Sequence, residues 1–153
     1  MMSPHPDLSI YDRDGQLAGI VEVKNKRGTS RDWAAKLRRN ILAHGGFRNI
    51  DFFLLVTPDH LYLWKGAGAE PKTVRPTYEI DAQPFFEPYF KRAAVDAGTI
   101  SGGAFELLVA AWLADVLRSE GVSDQLAEEH SWLIQSGFLT AIRNGRLAYE
   151  AAA

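Results

Sequence analysis

A chain of 153 residues, 46% apolar and 24% charged, fits one domain with its own core and excludes disordered, collagen-like and coiled-coil classes. It has no cysteine, which excludes disulfides, thiolate zinc sites and a cysteine nucleophile and suits a reducing, cytoplasmic setting. Its net charge of −2 hides an asymmetry: from Lys24 to Arg48 eight cations meet one anion, Asp32, whereas from Val95 onward eight acids outnumber three arginines.

No run approaches the roughly 18 apolar residues of a membrane span. Met1 to Pro6 lacks the basic start and apolar run of a secretory leader. Leu8 to Tyr11 alternates apolar and polar residues, and Leu17 to Lys24 follows Asp14-Gly15, so a hairpin with a two-residue turn is predicted. Thr29-Ser30-Arg31-Asp32 reads as a capping box with Thr29 as N-cap. The helix it opens should reach about His44 and stop at Gly45-Gly46, burying Trp33, Leu37 and Ile41. Ile50 to Val56 is a buried strand; Thr57-Pro58-Asp59-His60 turns it and Leu61 to Trp64 returns.

Gly66 to Pro76 is loop, and Gly66-Ala67-Gly68 lacks the strand–turn–helix setting of a phosphate loop. Helices are predicted over Pro84 to about Ala97, Gly102 to Ser119 (core side Leu107, Leu108, Ala111 and Val116) and Asp124 to Gly137. A short piece at Leu139 to Arg143, a strand near Arg146 to Tyr149 and a frayed Ala151-Ala152-Ala153 end the chain. The order predicts an α/β (α+β) fold with a mixed central sheet flanked by helices. Residues 1–80 would form the sheet core with one crossing helix, and 81–153 a helical extension packed on it.

The hairpin carries residues that do not suit a passive sheet. In the register set by a two-residue turn, Asp7 faces Glu22 across the ribbon and Lys24 shares their side, with Leu8, Ile10, Val21 and Val23 on the other. Two facing carboxylates repel unless one takes up a proton or a divalent cation sits between them. Mg²⁺ favours such oxygens together with a carbonyl and waters, and a nearby ammonium can steady charge developing on a phosphate. The plainer alternative is a solvated sheet face with a Glu–Lys pair. The four histidines, His5, His44, His60 and His130, lack ligand spacing, and the aromatics read as core.

Pro6-Asp7, fourteen intervening residues and Glu22-Val23-Lys24 resemble the PD-(D/E)XK signature of the restriction-endonuclease-like nucleases, in particular the small nuclease domains that head type I restriction R subunits. The likeness runs from Pro6 to about Trp64. It implies that fold, a Mg²⁺ site (Mn²⁺ substituting) made by Asp7, Glu22 and the Val23 carbonyl, and Lys24 assisting the attacking water. The reaction would be phosphodiester hydrolysis, of DNA in preference to RNA. Lys26, Arg31, Lys36 and Arg39 would contact the backbone, a term that gives affinity without sequence information. The family's helix before the first motif strand has no counterpart in the six residues before Asp7; Glu106, in an otherwise apolar helix, is the candidate for the acid such a helix often bears. Two sites for a double-strand break would require a homodimer or larger assembly. The alternative function is a catalytically silent module of this fold that binds nucleic acid or a protein partner.

Overall fold

The computed structural model describes residues 7–45, 47, 50–118 and 131–149. Pro6, His5, Gly46, Arg48, the first part of the helix predicted from Asp124, and the Ala151–Ala153 tail lie outside the described residues. β1 (Leu8–Tyr11) and β2 (Leu17–Val23) form the hairpin, but not through a two-residue turn. The Asp12 N–H donates to the Gln16 carbonyl at 2.8 Å and the Gly15 N–H to the Asp12 carbonyl at 3.0 Å. Asp12 Oδ1 also accepts the N–H groups of Asp14 and Gln16, and Gly15 takes the left-handed φ of +82° that a side chain would resist. Such a turn alone would shift the ribbon by one residue. An irregularity between Ile10 and Tyr11 shifts it back, so Leu8 pairs with Val21 and Ser9 with Ile20. The expected register therefore holds where Asp7 and Glu22 lie, for a reason the turn residues do not carry.

α1 (Arg31–Gly45) follows. Its cap is Ser30, whose Oγ accepts the Trp33 N–H at 3.1 Å, rather than Thr29, whose hydroxyl shares a 2.7 Å hydrogen bond with Tyr62. Its buried stripe is Ala34, Ala35, Arg38, Ile41 and Leu42, with Trp33 and Leu37 only half-buried at its border. The two alanines let the helix lie close to the sheet. α1 is the crossover that lets β3 (Phe52–Val56) run parallel to β2.

β4 (His60–Lys65) returns antiparallel through the Thr57–His60 turn, which the Thr57 N–H to His60 carbonyl bond of 2.9 Å closes. A further strand, β5 (Tyr78–Asp81), was not expected; it pairs with β4 and is half-exposed. β6 (Arg146–Tyr149) pairs with β1, giving the sheet order β5-β4-β3-β2-β1-β6 with β2–β3 its parallel pair. The 80/81 boundary thus falls inside β5.

The other helices are α2 (Gln83–Ala93), α3 (Gly102–Arg118), α4 (Ser131–Gln135) and α5 (Phe138–Ile142). α2 stops short of Ala97 because Ala94 is left-handed and its N–H closes on the Lys91 carbonyl. On one face of the sheet α1 packs over Ile20, Phe53, Leu55, Tyr62 and Trp64. On the other, α2 to α5 cover Leu8, Ile10, Val21, Val23, Leu54 and Val56, so residues from both sides of position 80 share one core. α3 turns Phe105, Val109, Trp112 and Leu113 inward beside Leu108 and Val116, whereas Leu107 is 64% exposed and Ala111 is exposed. Its composition is apolar nearly all round, so spacing alone misplaced the stripe. With both faces covered, β2 and β3 are buried along almost their whole length, the pattern of strands inside a two-sided sheet. Among the described residues no helix is long and apolar enough to cross a membrane.

Candidate metal and nucleic-acid site

One step beyond the Leu8–Val21 pair, Asp7 stands opposite Glu22 at the carboxyl end of β2. Side-chain alternation puts Glu22 on the α1 face with Ile20, yet the covering of that face leaves it only 5% exposed. The face is therefore not solvated. Lys24 follows on the same side, its Nζ 3.2 Å from Glu22 Oε1 and its side chain 43% exposed. Glu22 Oε2 is buried and among the described residues accepts no hydrogen bond. Its near neighbour is another acceptor, Asp7, which could share a proton with Glu22 only when one of the two is protonated. Burial and then the Asp7 charge push the Glu22 acid up to about 7, against the pull of Lys24.

Asp7 does more than face Glu22. Its Oδ2 accepts the Val23 N–H at 2.7 Å. The next amide, Lys24, donates to the Val56 carbonyl at 2.9 Å across the parallel pair. Backbone groups alternate along a strand, so the N–H and C=O of Val23 both point to the side where β1 has ended, towards Asp7. The Asp7 carboxylate thus completes the ladder, and the Val23 carbonyl opens onto the same spot.

Beyond the motif, the Asn25 side chain donates to the Ile100 carbonyl at 2.8 Å and ties this strand end to the segment that starts α3. Glu106 on α3 has its pKa raised by burial and then by the charge of Asp7, so the two acids lie within electrostatic reach. Among the described residues no group of three His, Cys, Asp or Glu side chains converges as a closed metal cage. An orphaned carboxylate oxygen, a second carboxylate and a carbonyl fit a hard, water-keeping divalent cation such as Mg²⁺.

The basic residues divide. Arg31 is paired with Glu79 at 3.2 Å, and Lys26 lies 5.3 Å above the Trp33 ring. Lys36 and Arg39 are exposed and share a face of α1, being three residues apart. Arg38, inside the same basic run, is 1% exposed and faces the protein.

From its sequence Thr57–His60 reads only as a turn. The structure makes it a polar corner at the same sheet end. Burial would raise the Asp59 pKa, but the Gly28 N–H, the Thr57 hydroxyl and His60 hold it below the usual range. His60 Nδ1 lies 3.1 Å from Asp59 Oδ1, and its ring stacks on Tyr62. An open cleft of about 500 Å³ lies between this turn, the loop after β2 and α2. Its lining residues are far apart in the chain, so no local pattern announces it. No family model matches the chain, and no significant match exists to a curated protein or a solved structure.

Proposed function

We propose that the protein is a Mg²⁺-dependent nuclease of the PD-(D/E)XK type, with Asp7, Glu22 and the Val23 carbonyl as ligands and Lys24 beside them. The observation that carries this reading is the buried, unpartnered Oε2 of Glu22 set against Asp7. Burying a carboxylate without a donor costs free energy, and a bound cation removes that cost. The order of hairpin, crossover helix and parallel strand supports the restriction-endonuclease-like fold, and α3 supplies Glu106 on the Asp7 side.

The bound cation would polarise the scissile phosphate and lower the pKa of a bound water. The chain supplies the rest. Asp7 is fixed by the Val23 amide, so its second oxygen is oriented before any ligand arrives. Glu22 is fixed by the strand and by Lys24. The Lys24 ammonium, half in solvent beside Glu22, would orient the attacking water and steady charge on the phosphoryl oxygens during in-line displacement. Lys26, Lys36 and Arg39 would hold the backbone, and Arg31 would do so on leaving Glu79. The polymer is DNA before RNA, and paired cuts would need a homodimer or larger assembly.

The test is plasmid nicking with Mg²⁺ or Mn²⁺ that stops with chelator. Asp7→Ala, Glu22→Ala and Lys24→Ala should each abolish it while the melting transition stays cooperative. Cleavage that survives Glu22→Ala and Lys24→Ala unchanged would refute the site. The second reading, a silent binding module, is favoured by the Glu22–Lys24 ion pair, which satisfies both charges without a cation. It is the outcome if DNA is retarded in chelator and never cut.

A further inference from the structure

The sheet ends in two edge strands, β5 and β6, and they differ in what a second copy of the chain would meet there. Among the described residues no backbone hydrogen bond reaches the outer side of either strand. An unpaired edge is a template for another strand, and folded chains guard it with charge or proline. β5 is guarded: Glu79 and Asp81 lie on one side of it, so a second β5 would set acid against acid. β6 is not guarded in that way. Its residues are Arg146, Leu147, Ala148 and Tyr149; Leu147 packs on the core and Tyr149 is 56% exposed.

Two copies joined edge to edge by an antiparallel pair are related by a two-fold axis perpendicular to the sheet, so like faces stay on like sides. Directly opposed residues project to one side, so only residues of equal parity can face each other. An axis through Ala148 sets Leu147 against Tyr149 of the second copy, twice, on the side covered by α2 to α5. The same count sets Arg146 against position 150, which is a glutamate. Moving the axis to Leu147 or to Tyr149 gives up both kinds of pair.

We propose that β6 pairs antiparallel with β6 of a second copy, about an axis through Ala148, making one continuous sheet from two chains. The contact rests on the edge itself; its use rests on the nuclease reading. Glu22 lies on the α1 side of the sheet and Asp7 faces it, so both sites of the pair open on the same side. Ser9 pairs with Ala148, and Asp7 is two residues before Ser9. From one Asp7 to the other is then three strand spacings across and four residues along, about 20 Å in an untwisted sheet. One duplex lying on that side can reach both sites, which narrows the substrate to a double-stranded one. Two such short edges bury less than the roughly 1,200 Å² of a stable interface, so the free pair is weak and is best caught covalently.

The chain has no cysteine, so a single introduced thiol reports the contact. Ala148→Cys places two thiols on the axis, with Cβ atoms within reach of a disulfide. Under mild oxidation in metal-free buffer it should cross-link about tenfold faster than Asp14→Cys, because pairing raises the local thiol concentration. Asp14 is exposed at the far turn and reports random collision. Adding Glu150→Arg, which sets arginine against arginine, should slow Ala148→Cys to the collision rate, and adding Arg146→Glu as well should restore it. Equal rates for Ala148→Cys and Asp14→Cys overturn the proposal, and so does Glu150→Arg without effect. Arg146 also lies 4.3 Å above the Tyr11 ring, so the melting transition is followed in parallel; a double variant that folds and stays slow overturns the register. The cross-link needs neither metal nor DNA, so its outcome stands apart from that of the nuclease reading. The locked dimer should linearise plasmid with Mg²⁺ in a single encounter, where Glu150→Arg nicks. A dimer that locks as expected but never cuts leaves the interface standing and ends the nuclease reading; one that only nicks overturns the shared duplex.

Discussion

Two charged side chains are buried among the described residues, and they are buried in opposite ways. Arg38 is 1% exposed and Glu22 is 5% exposed. Arg38 Nη2 donates to the Gly68 carbonyl at 3.0 Å, the Lys72 carbonyl is within 3.4 Å of Nη1, and the guanidinium lies 6.0 and 5.7 Å from the Phe53 and Trp64 rings. It holds the loop between β4 and β5 onto α1, with Trp64 Nε1 bonded to the Val74 carbonyl on the same loop. Glu22 has one oxygen on Lys24 and nothing on the other. The guanidinium has carbonyls on its fork and two rings beside it, and only its Nε is buried without a partner, so the fold accounts for most of it. The Glu22 carboxylate has a whole oxygen without a donor and a second acid beside it, and that repulsion is why the proposed site centres on Glu22 rather than Arg38.

The comparison breaks most sharply at Glu22. Glu22→Gln keeps the shape and removes the charge, so the proposed nuclease activity should fall about a thousandfold, the loss of a few kcal/mol of transition-state stabilisation. The same change should not harm the metal-free fold. Folded Glu22 titrates at about 7, against 4.5 for the free side chain, because burial and Asp7 disfavour its charge. Between those pH values the folded state binds more protons than the unfolded one, so stability falls as pH rises through that window. The full span is about 3 kcal/mol. Denaturant melts of the metal-free protein at pH 5 and pH 8 should show the loss, and Glu22→Gln should remove it. Adding Mg²⁺ at pH 8 should restore the parent and leave the variant unmoved. A parent equally stable at both pH values would mean that Glu22 is not buried with a free oxygen.

Arg38 should answer in the other currency. Arg38→Ala leaves the Gly68 and Lys72 carbonyls without their donor and a void between two rings, a loss of about 3 kcal/mol. Arg38→Lys should recover little of it, because a point charge cannot bridge several carbonyls. Activity per folded molecule should stay within about twofold in chelator-free buffer at low temperature. Urea midpoints set beside single-turnover rates measure both quantities. A variant that keeps its midpoint but loses cleavage would make Arg38 part of the site.

Why one of these charges was legible and the other was not follows from how each is placed. Glu22 needs only strand alternation and a hairpin register, and Asp7 opposite it follows from the same arithmetic; both are local. Even so, the register survives through an irregularity at Ile10/Tyr11 that offsets a differently built turn. Arg38 sits at a stripe position where a long cation reads as surface, and only the returning loop gives it carbonyls. Tyr78–Asp81 becomes a strand by pairing with β4, with half-exposed residues that give little hydrophobic signal. Leu107 and Phe105 lie on a helix apolar on most sides, so the choice of inner face belonged to the sheet it packs on. Glu106 stood out as an acid among apolar residues, but its nearness to Asp7 comes from the fold.

The smallest expected effect concerns the cations beside Arg38. Lys36 and Arg39 are exposed on α1, and removing both should change stability by no more than about 0.5 kcal/mol. If they meet phosphates, each removed contact should lower the slope of log affinity against log salt by about one, uniformly across sequences. Lys36→Ala with Arg39→Ala, measured in chelator by fluorescence anisotropy at several salt concentrations, separates this from a general loss of folding. Arg31→Ala should matter less than either, because Glu79 already neutralises it at 3.2 Å. Glu79→Gln, which frees Arg31, should instead strengthen binding and steepen the slope. An unchanged slope in the Lys36/Arg39 double variant would turn the backbone away from α1 and leave Lys26 and Arg27, on the loop after β2, as the residues that hold it.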